Sequence, residues 1–350
     1  MIELERRRAV RGAISAVAAI LALMLSTAGG EADTSIKTWF TDSAGRRVEV
    51  PAEIRRVLAA GPPAAVLLYS VAPDRLIGWP HALDAQTAAM LPRQYASLPV
   101  VGQLTGHNGG PTLQAIMALH PDIIIDIGDV NPTYAALADR FQQQTHIPYV
   151  LLDGRLSNTA QTYRLLGKLL SAAGQAETLA SYAEQTLARL RTPMTQHALR
   201  VYYARGSDGL TTGAESSLTG EFIRFAGAIN VAAGGDSTMK TSLEKIQGWN
   251  PDAILALDPE AYVHIATDTH WAGLAAVKYD RVHLPPKAPF GWIDEPPGVN
   301  RLLGIQWLVA TLYPGTGTGN IRAIAKDFCS RFYHVKLSDA QLAAIFAAAH

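Results

Sequence analysis

The sequence predicts an α/β protein of two Rossmann-like lobes with parallel-type sheets, joined by a single long interlobe helix. A unit of short helix, turn and buried strand occurs twice, at residues 113–125 and again 130 residues later at 243–255. Each copy contains Pro-Asp followed by an uninterrupted apolar run, which is typical of a strand covered on both faces of a parallel sheet. Between the copies, residues 175–191 lack Gly and Pro and repeat apolar residues at helical spacing.

The N-terminus indicates a secretory signal peptide at residues 1–32. Four arginines at residues 6–11 precede an uncharged, mostly apolar stretch at 13–25, and small residues follow. This stretch is shorter than the roughly 20 residues that a membrane-spanning helix needs. We therefore expect cleavage after Ala32 and a soluble mature protein in the periplasm. The only cysteine, Cys329, excludes an intrachain disulfide, and no cysteine near the cleavage site offers a lipid anchor.

We assign residues 33–157 to the first lobe. Pro62 and Pro63 suit the first turn of a helix that continues through residues 64–71, because proline lacks the N–H that this turn leaves unpaired. Pro121 ends the helix of the repeated unit. Strands are predicted at residues 56–60, 75–79, 123–125 and 148–152.

Residues 158–193 form the predicted helical linker. Asn158 and Gln161 match a capping box, and Gly174 is expected to end this first helix. The helix at 175–191 spans roughly 25 Å at about 1.5 Å per residue, which is enough to cross between two lobes. The alternative is an ordinary helix within one lobe.

The second lobe is assigned to residues 194–350. Its strands are predicted at residues 199–203, 253–255 and 281–284. Pro251 ends the second copy of the repeated helix, as Pro121 ends the first. A C-terminal helix is expected from Ser338 onward, with Ser338 and Gln341 as its capping box.

Composition and motifs disfavour nucleic-acid binding and catalysis. The 30 Lys and Arg residues balance 30 Asp and Glu residues, so the composition does not indicate a nucleic-acid or acidic-membrane partner, for which an excess of basic residues would be expected. The sequence contains no G-x-S-x-G, H-E-x-x-H, P-loop or G-x-G-x-x-G motif. We therefore expect a binding protein without a resident cofactor. An exported α/β enzyme using scattered His and Asp residues is the alternative.

The repeated unit, the long helix and residues 213–233 (GAESSLTGEFIRFAGAINVAA) resemble periplasmic binding proteins of ABC importers. The resemblance is to the helix-linked group that binds iron–siderophore complexes, haem and cobalamin, and segments 38–51 and 271–278 also match it. It implies a monomeric receptor whose lobes move little and enclose a metal chelate. A ferric siderophore is the first candidate for this cargo. Haem, cobalamin and nickel-chelate cargoes stay open.

The resemblance also implies a docking surface for the permease at the inner membrane. In the family, one glutamate on each lobe meets arginines of the permease, directly after the Leu that opens each repeated helix. Glu244 matches this position in the second lobe, whereas Gln114 departs from it in the first. An exposed ion pair contributes only about 0–1 kcal/mol, so the loss of one is tolerable.

Candidate cargo-binding residues follow from the loops at the carboxyl ends of the predicted strands, where α/β lobes bind ligands. They are Pro62, Trp79, His81, His107, Asn108, Asp129, Arg205, Tyr262, Trp292 and Arg301. If the chelate leaves metal positions open, His107, His264 and Tyr262 are the candidate metal ligands.

Each candidate also has a structural interpretation. Trp79 and Trp292 could pack into the core, as we expect for Trp249, and Arg205 could be a surface charge. Arg301 has Asp294 and Glu295 nearby in sequence, so an internal ion pair is its alternative role. The histidines show no metal-ligand spacing, and an ordinary loop histidine is the default interpretation of each.

Overall fold

The computed structural model describes residues 37–104, 110–190, 198–235, 238–315 and 319–349. The predicted signal peptide, residues 1–32, lies outside the described residues. The strands are β1 (Lys37–Thr41), β2 (Arg47–Pro51), β3 (Val57–Ala59), β4 (Ile123–Gly128), β5 (Tyr149–Asp153), β6 (Arg200–Ala204), β7 (Thr211–Gly213), β8 (Ile229–Asn230), β9 (Thr238–Lys240), β10 (Ala253–Ala256) and β11 (Val282–His283).

Helices separate most of these strands. They are α1 (Pro62–Val71), α2 (Ala85–Met90), α3 (Arg93–Ala96), α4 (Leu113–Ala118), α5 (Pro132–Thr145), α6 (Thr159–Leu169), α7 (Ala173–Leu190), α8 (Leu218–Phe225), α9 (Leu243–Trp249), α10 (Pro259–Thr267), α11 (Ala275–Lys278), α12 (Arg301–Leu312), α13 (Ile321–Phe332) and α14 (Asp339–Ala347). None of the helices in the described ranges is both long and apolar enough to cross a membrane.

Two parallel sheets form the two halves of the fold, as predicted. The first has the order β3-β4-β5 and the second the order β11-β10-β6-β8. Within both sheets every pair of neighbouring strands is parallel. In each half the strand that follows Pro-Asp, β4 or β10, has a neighbouring strand at both edges, and its successive residues are buried. Both faces of the strand are therefore covered, which explains why its apolar run is uninterrupted. The repeated unit of helix, turn and strand is thereby confirmed.

The aspartate of each Pro-Asp pair joins its strand to the strand beside it. Asp122 Oδ2 accepts a hydrogen bond from the Arg56 N–H at 2.8 Å, and the Asp122 N–H donates to the Arg56 carbonyl at 2.8 Å. Asp252 and Arg200 make the same two contacts, both also 2.8 Å. The repeat in sequence is therefore also a repeat in hydrogen bonding.

Alternate residues of the strands face two different cores. In β3, Val57 belongs to the central core and Leu58 to an outer core. In β6, Tyr203 belongs to the same central core and Tyr202 to a second outer core. This period of two follows from the pleat of a strand. The central core is shared, because it contains residues of both sheets together with residues of α1, α6, α7, α12 and α13. Both sheets thus pack on one layer of helices.

The helix begun by Pro62 and Pro63 and the capping box of Ser338 with Gln341 are confirmed. The long helix is α7, and α6 packs along it. At their closest approach a Cβ added to Gly167 would lie 2.3 Å from the Ala176 Cβ, so only glycine fits there. Gly174 lies inside α7 rather than before it.

Two further predictions are wrong in detail. Asn158 does not cap α6, because its side chain donates to Asp153 Oδ2 at 2.5 Å and a 3-10 turn at Leu156–Asn158 precedes the helix. The strand predicted at 75–79 is instead a 3-10 turn, Pro73–Arg75, followed by isolated bridges at Leu76 and Trp79.

Candidate functional site

A pocket of about 500 Å³ lies where three segments of the chain meet. One wall comes from the first turns of α1 and from residues 79–87, and the opposite wall comes from residues 287–297. The surfaces they contribute are mainly proline and aromatic rings, from Pro62, Pro63, Trp79, Pro80, Pro289, Phe290, Pro296 and Pro297. This volume is within the range of pockets that bind small molecules, roughly 300–1,000 Å³.

Aromatic packing sets the base of the pocket. The Trp79 ring lies 5.8 Å from the Phe290 ring and 5.5 Å from the Tyr69 ring, between centroids. Its Nε1–H donates to the Tyr95 carbonyl at 2.8 Å, which fixes the orientation of the indole. Burial raises the pKa of Tyr69 far above its ordinary value, so this ring stays neutral. Trp79 therefore packs in the core, as its structural interpretation has it, and one face of it also lines the pocket.

Buried hydrogen bonds hold the second wall in place. Asn300 Nδ2 donates to the Pro296 carbonyl at 2.8 Å and also to the Gly291 carbonyl. Arg301 Nε donates to the Ile293 carbonyl at 3.0 Å. Prolines restrict the backbone of the same segment further, because each fixes its own φ angle. The backbone of this wall is therefore held in place by the protein's own hydrogen bonds.

The polar groups of the pocket are few and partly used by one another. Lys287 Nζ contacts Glu295 Oε2 at 2.8 Å within the second wall. Asp84 Oδ1 accepts the Thr87 N–H at 2.8 Å and thereby caps α2. His81 is exposed at the rim. Because the many prolines lack an N–H, the pocket offers apolar surface and carbonyl oxygens more than hydrogen-bond donors.

A buried charge cluster lies beneath the second wall. The Asp294 carboxylate contacts Arg301 Nη2 at 2.7 Å and Arg205 Nη1 at 3.8 Å, and it accepts the Tyr203 hydroxyl. Burial and the neighbouring Asp294 charge raise the pKa of Tyr203 well above its ordinary value. Burial acts to lower the pKa of Arg301, but the charge of Asp294, the hydrogen bond to it and the nearby Tyr203 and Glu221 groups together outweigh burial and raise that pKa. The cluster therefore keeps a charged arginine and a neutral tyrosine at neutral pH.

The structure brings three predicted site residues together at the pocket, Pro62, Trp79 and His81. It places Trp292 elsewhere, 1% exposed and packed edge-on against the Phe346 ring at 5.5 Å. The Trp292 Nε1–H donates to the Ala288 carbonyl, so even its polar end is used inside the protein. Its core alternative is therefore the one that the structure shows.

The two arginines belong to the buried charge cluster and not to the pocket lining. Arg301 is 3% exposed, so the internal ion pair with Asp294 is confirmed. Arg205 is more exposed, and its guanidinium lies near the same carboxylate. The predicted partner Glu295 instead pairs with Lys287.

The remaining candidates are dispersed. Asp129 is exposed after β4, and Tyr262 and His264 lie on α10 rather than in a loop. His264 Nδ1 lies 3.8 Å from Asp268 Oδ2, and its ring lies 6.2 Å from the Trp271 ring. His107 and Asn108 lie outside the described residues. Within the described ranges, no group of three His, Cys, Asp or Glu side chains could hold a metal ion.

Sequence reasoning missed several residues that line the pocket, among them Asp84, Thr87, Lys287, Phe290 and Glu295. For the last three a signal existed, since three prolines and two aromatic residues lie within residues 287–301. Thr87 gave none, because a threonine in a short helix is unremarkable until the chain folds and places it opposite Pro289.

Comparisons with known proteins agree with this architecture. A family model described as a periplasmic binding protein matches residues 75–289, more than half of the chain. An ABC transporter solute binding protein from Sulfurospirillum deleyianum is 29% identical, with a TM-score of 0.79 over 88% of this chain and 99% of that one. A periplasmic solute binding protein from Veillonella parvula is 25% identical, with a TM-score of 0.71 over 88% of this chain and 96% of that one.

The molybdate periplasmic binding protein MolA of Haemophilus influenzae shares the fold at 22% identity, with a TM-score of 0.68 over 86% of this chain and 99% of that one. No curated protein matches the sequence. All three matched proteins are described as solute-binding or periplasmic binding proteins, and those from Sulfurospirillum deleyianum and Haemophilus influenzae are assigned to ABC transporters. With a family model matching more than half of its length, the chain belongs to the periplasmic binding protein family.

Proposed function

We propose that this protein captures a metal chelate, with a ferric siderophore as the first candidate, in the pocket lined by proline and aromatic rings. It then delivers the chelate to an ABC permease at the inner membrane. The observation that carries this proposal is the chemistry of the pocket walls, which are rich in rings and poor in hydrogen-bond donors. Such walls suit a ligand that presents an organic surface.

Bare ions suit these walls less well. A bare oxoanion, such as the molybdate bound by MolA, needs several hydrogen-bond donors. This pocket instead carries many prolines and two carboxylates, Asp84 and Glu295. A bare cation needs a compact set of His and carboxylate ligands, whereas among the described residues His81 is the one histidine in the lining. An organic shell around the metal removes both difficulties.

The proposal is tested by titrating the mature protein against a panel of ligands, with native mass spectrometry and tryptophan fluorescence as readouts. The panel contains ferric catecholates and hydroxamates, haem, cobalamin, nickel–histidine, molybdate, and bare zinc and manganese. We expect micromolar or tighter binding of one chelate, with quenching of Trp79. Tight binding of a bare metal without any chelate would overturn the assignment of the cargo, and turnover of a panel member would overturn the assignment as a receptor.

Pocket variants locate the site. Phe290→Leu removes an aromatic face from the pocket, and we expect it to weaken cargo binding by more than about 1 kcal/mol. Trp39→Leu is the matched control, because Trp39 is 60% exposed in β1 and does not line the pocket. Equal affinities of Phe290→Leu and the unmodified protein would place the cargo elsewhere.

We further propose that the N-terminal turns of α4 and α9 contact the permease. Gln114 and Glu244 are both exposed at the second residue of these helices, behind the capping residues Thr112 and Ser242. Hydrogen bonding to Ser242 lowers the pKa of Glu244, so it is ionised at neutral pH. Glu244→Gln should reduce transport while cargo affinity stays unchanged, and Gln114→Glu should strengthen binding to the permease.

The protein is proposed to act as a monomer, which size-exclusion chromatography with light scattering would check.

A further inference from the structure

One hydroxyl group lies between the two walls of the pocket. Thr87 Oγ1, in α2, is 2.6 Å from Asp84 Oδ2 in the first wall and 2.6 Å from the Pro289 carbonyl oxygen in the second. Thr87 is 3% exposed, so water does not replace either contact freely. The three residues form a chain of oxygen atoms across the pocket.

Counting protons shows that this chain is incomplete when Asp84 is ionised. A threonine hydroxyl has one hydrogen, and neither a carboxylate nor a carbonyl supplies another. Only one of the two contacts at 2.6 Å then contains a proton. The other brings two oxygen lone pairs together, which is repulsive.

The carboxylate is the stronger competitor for this proton. Hydrogen bonds to an ionised acceptor are roughly twice as strong as those between neutral groups. Burial by itself raises the pKa of Asp84, but hydrogen bonds from the Thr87 hydroxyl and from backbone N–H groups outweigh it and lower that pKa. Asp84 is therefore ionised at neutral pH and accepts the hydrogen bond from the Thr87 hydroxyl, which leaves the Pro289 carbonyl without a donor among the described residues.

We propose that Thr87 and Asp84 are positioning residues of the cargo pocket, and that the direction of the single Thr87 hydrogen decides whether its two walls are joined. When the hydrogen points toward Asp84, no hydrogen bond connects Thr87 in the first wall to the Pro289 carbonyl in the second. With the hydrogen toward Pro289 the walls are bonded to each other. This inference rests on the proposed function only where cargo affinity is concerned.

The other charged or titratable groups that line the pocket do not supply the missing proton in the described structure. Lys287 donates to Glu295 inside the second wall. The His81 side chain donates no hydrogen bond to Thr87 or to the Pro289 carbonyl within the described ranges. Aromatic contact between Trp79 and Phe290 brings the walls together independently of the hydroxyl, so the pocket persists in both arrangements.

Asp84→Asn separates the two arrangements. Asn caps helices about as well as Asp, so the bond from the Thr87 N–H is kept. Its amide nitrogen donates to Thr87 Oγ1, which frees the hydroxyl hydrogen for Pro289. Without cargo, we expect the thermal midpoint of Asp84→Asn to rise by about 1–2 °C. Thr87→Val, of similar shape but without a hydroxyl, should lower it.

The double variants decide whether the effect passes through the hydroxyl. The rise caused by Asp84→Asn should persist in the Thr87→Ser background, which keeps the hydroxyl, and disappear in the Thr87→Val background. A midpoint that does not rise in Asp84→Asn, or that rises equally in the Thr87→Val background, overturns the inference.

Cargo binding provides the second readout. When the two walls are already bonded to each other, they lose less conformational freedom as the cargo binds. We therefore expect Asp84→Asn to bind the chelate identified by the panel about two- to tenfold more tightly, chiefly through slower dissociation. Weaker binding would contradict the inference. If the unmodified protein binds no panel member, the proposed function fails, whereas the midpoints of the free variants still decide the role of Thr87.

Discussion

His120 and Asn250 adopt the same left-handed backbone conformation at equivalent positions of the two halves, with φ angles of 46° and 43°. Each directly precedes the proline of a Pro-Asp pair and ends the turn between helix and strand. A residue other than glycine is strained in this region, and asparagine tolerates it best. Asn250 has an additional role, because its Oδ1 accepts the Ala275 N–H at 3.1 Å at the start of α11.

Glycine should therefore have opposite effects at the two positions. We expect His120→Gly to raise the free energy of unfolding by about 0.5–1 kcal/mol, because it relieves backbone strain. Asn250→Gly should lower it by about 1 kcal/mol, because the hydrogen bond to Ala275 is lost and little strain was present. Urea unfolding of both variants checks this. Changes of the same sign would mean that the two turns are equivalent in energy as well as in shape.

The repeat was predictable because it depends on local chemistry. An apolar run after Pro-Asp favours a buried strand, and the helix before it ends one to two residues before the residue that precedes proline, at Ala118 and Trp249. The strand predicted at 75–79 is wrong because its formation depends on distant residues. A short apolar run does not reveal whether a neighbouring strand is available to pair with it. In the structure, Leu76 and Trp79 each find only a single bridge partner.

The pocket was only partly predictable, because its walls come from segments 200 residues apart in the chain. Trp79 and His81 follow a predicted strand, and that position indicated a site. The contact between Thr87 and Pro289 exists only after the chain folds. The position of Trp292 could not be predicted for the same reason. In a proline-rich segment, the sequence does not show whether a tryptophan side chain points into the core or into the pocket.

Burial of Trp292 predicts a loss of stability rather than a local loss of affinity. We expect Trp292→Ala to lower the free energy of unfolding by about 3–5 kcal/mol, because it leaves a cavity against the Phe346 ring and the Ala288 carbonyl unpaired. Trp292→Phe should recover part of this loss while cargo affinity stays within about twofold of the unmodified protein. Chemical denaturation and a cargo titration measure the two effects. A stable Trp292→Phe variant with strongly reduced affinity would place this ring in contact with the cargo.

The buried pair of Asp294 and Arg301 predicts a non-additive response. Arg301→Met should lower the free energy of unfolding by about 3–5 kcal/mol, since the Asp294 charge would stay buried with only the Tyr203 hydroxyl and the more distant Arg205 nearby. The double variant Asp294→Leu with Arg301→Met should lose less than Arg301→Met alone, because no unpaired charge remains. A double-mutant cycle in urea measures this coupling. Additive losses would show that the pair contributes no specific interaction.

The Asp126 carboxyl predicts a dependence of stability on pH. It is 8% exposed in β4, where it accepts the Tyr149 hydroxyl at 3.0 Å and the Ile127 N–H at 2.9 Å. Burial raises the pKa of Asp126 and outweighs these hydrogen bonds, which act to lower it. The folded protein thus keeps this proton to a higher pH than the unfolded chain does. Its stabilising contribution is complete below the unfolded pKa of about 3.9 and is lost as pH rises through the folded value.

Replacing this carboxyl with a neutral amide should therefore stabilise the protein at neutral pH. We expect Asp126→Asn to raise the free energy of unfolding by about 1 kcal/mol at pH 7, because it removes the cost of burying a charge. The advantage should shrink on acidification and vanish below about pH 3.9, where the carboxyl is protonated in both states. Urea unfolding across this pH range measures the difference, and Asp129→Asn, at an exposed site after the same strand, is the control. A difference that stays constant with pH would show that the amide acts through packing and not through charge.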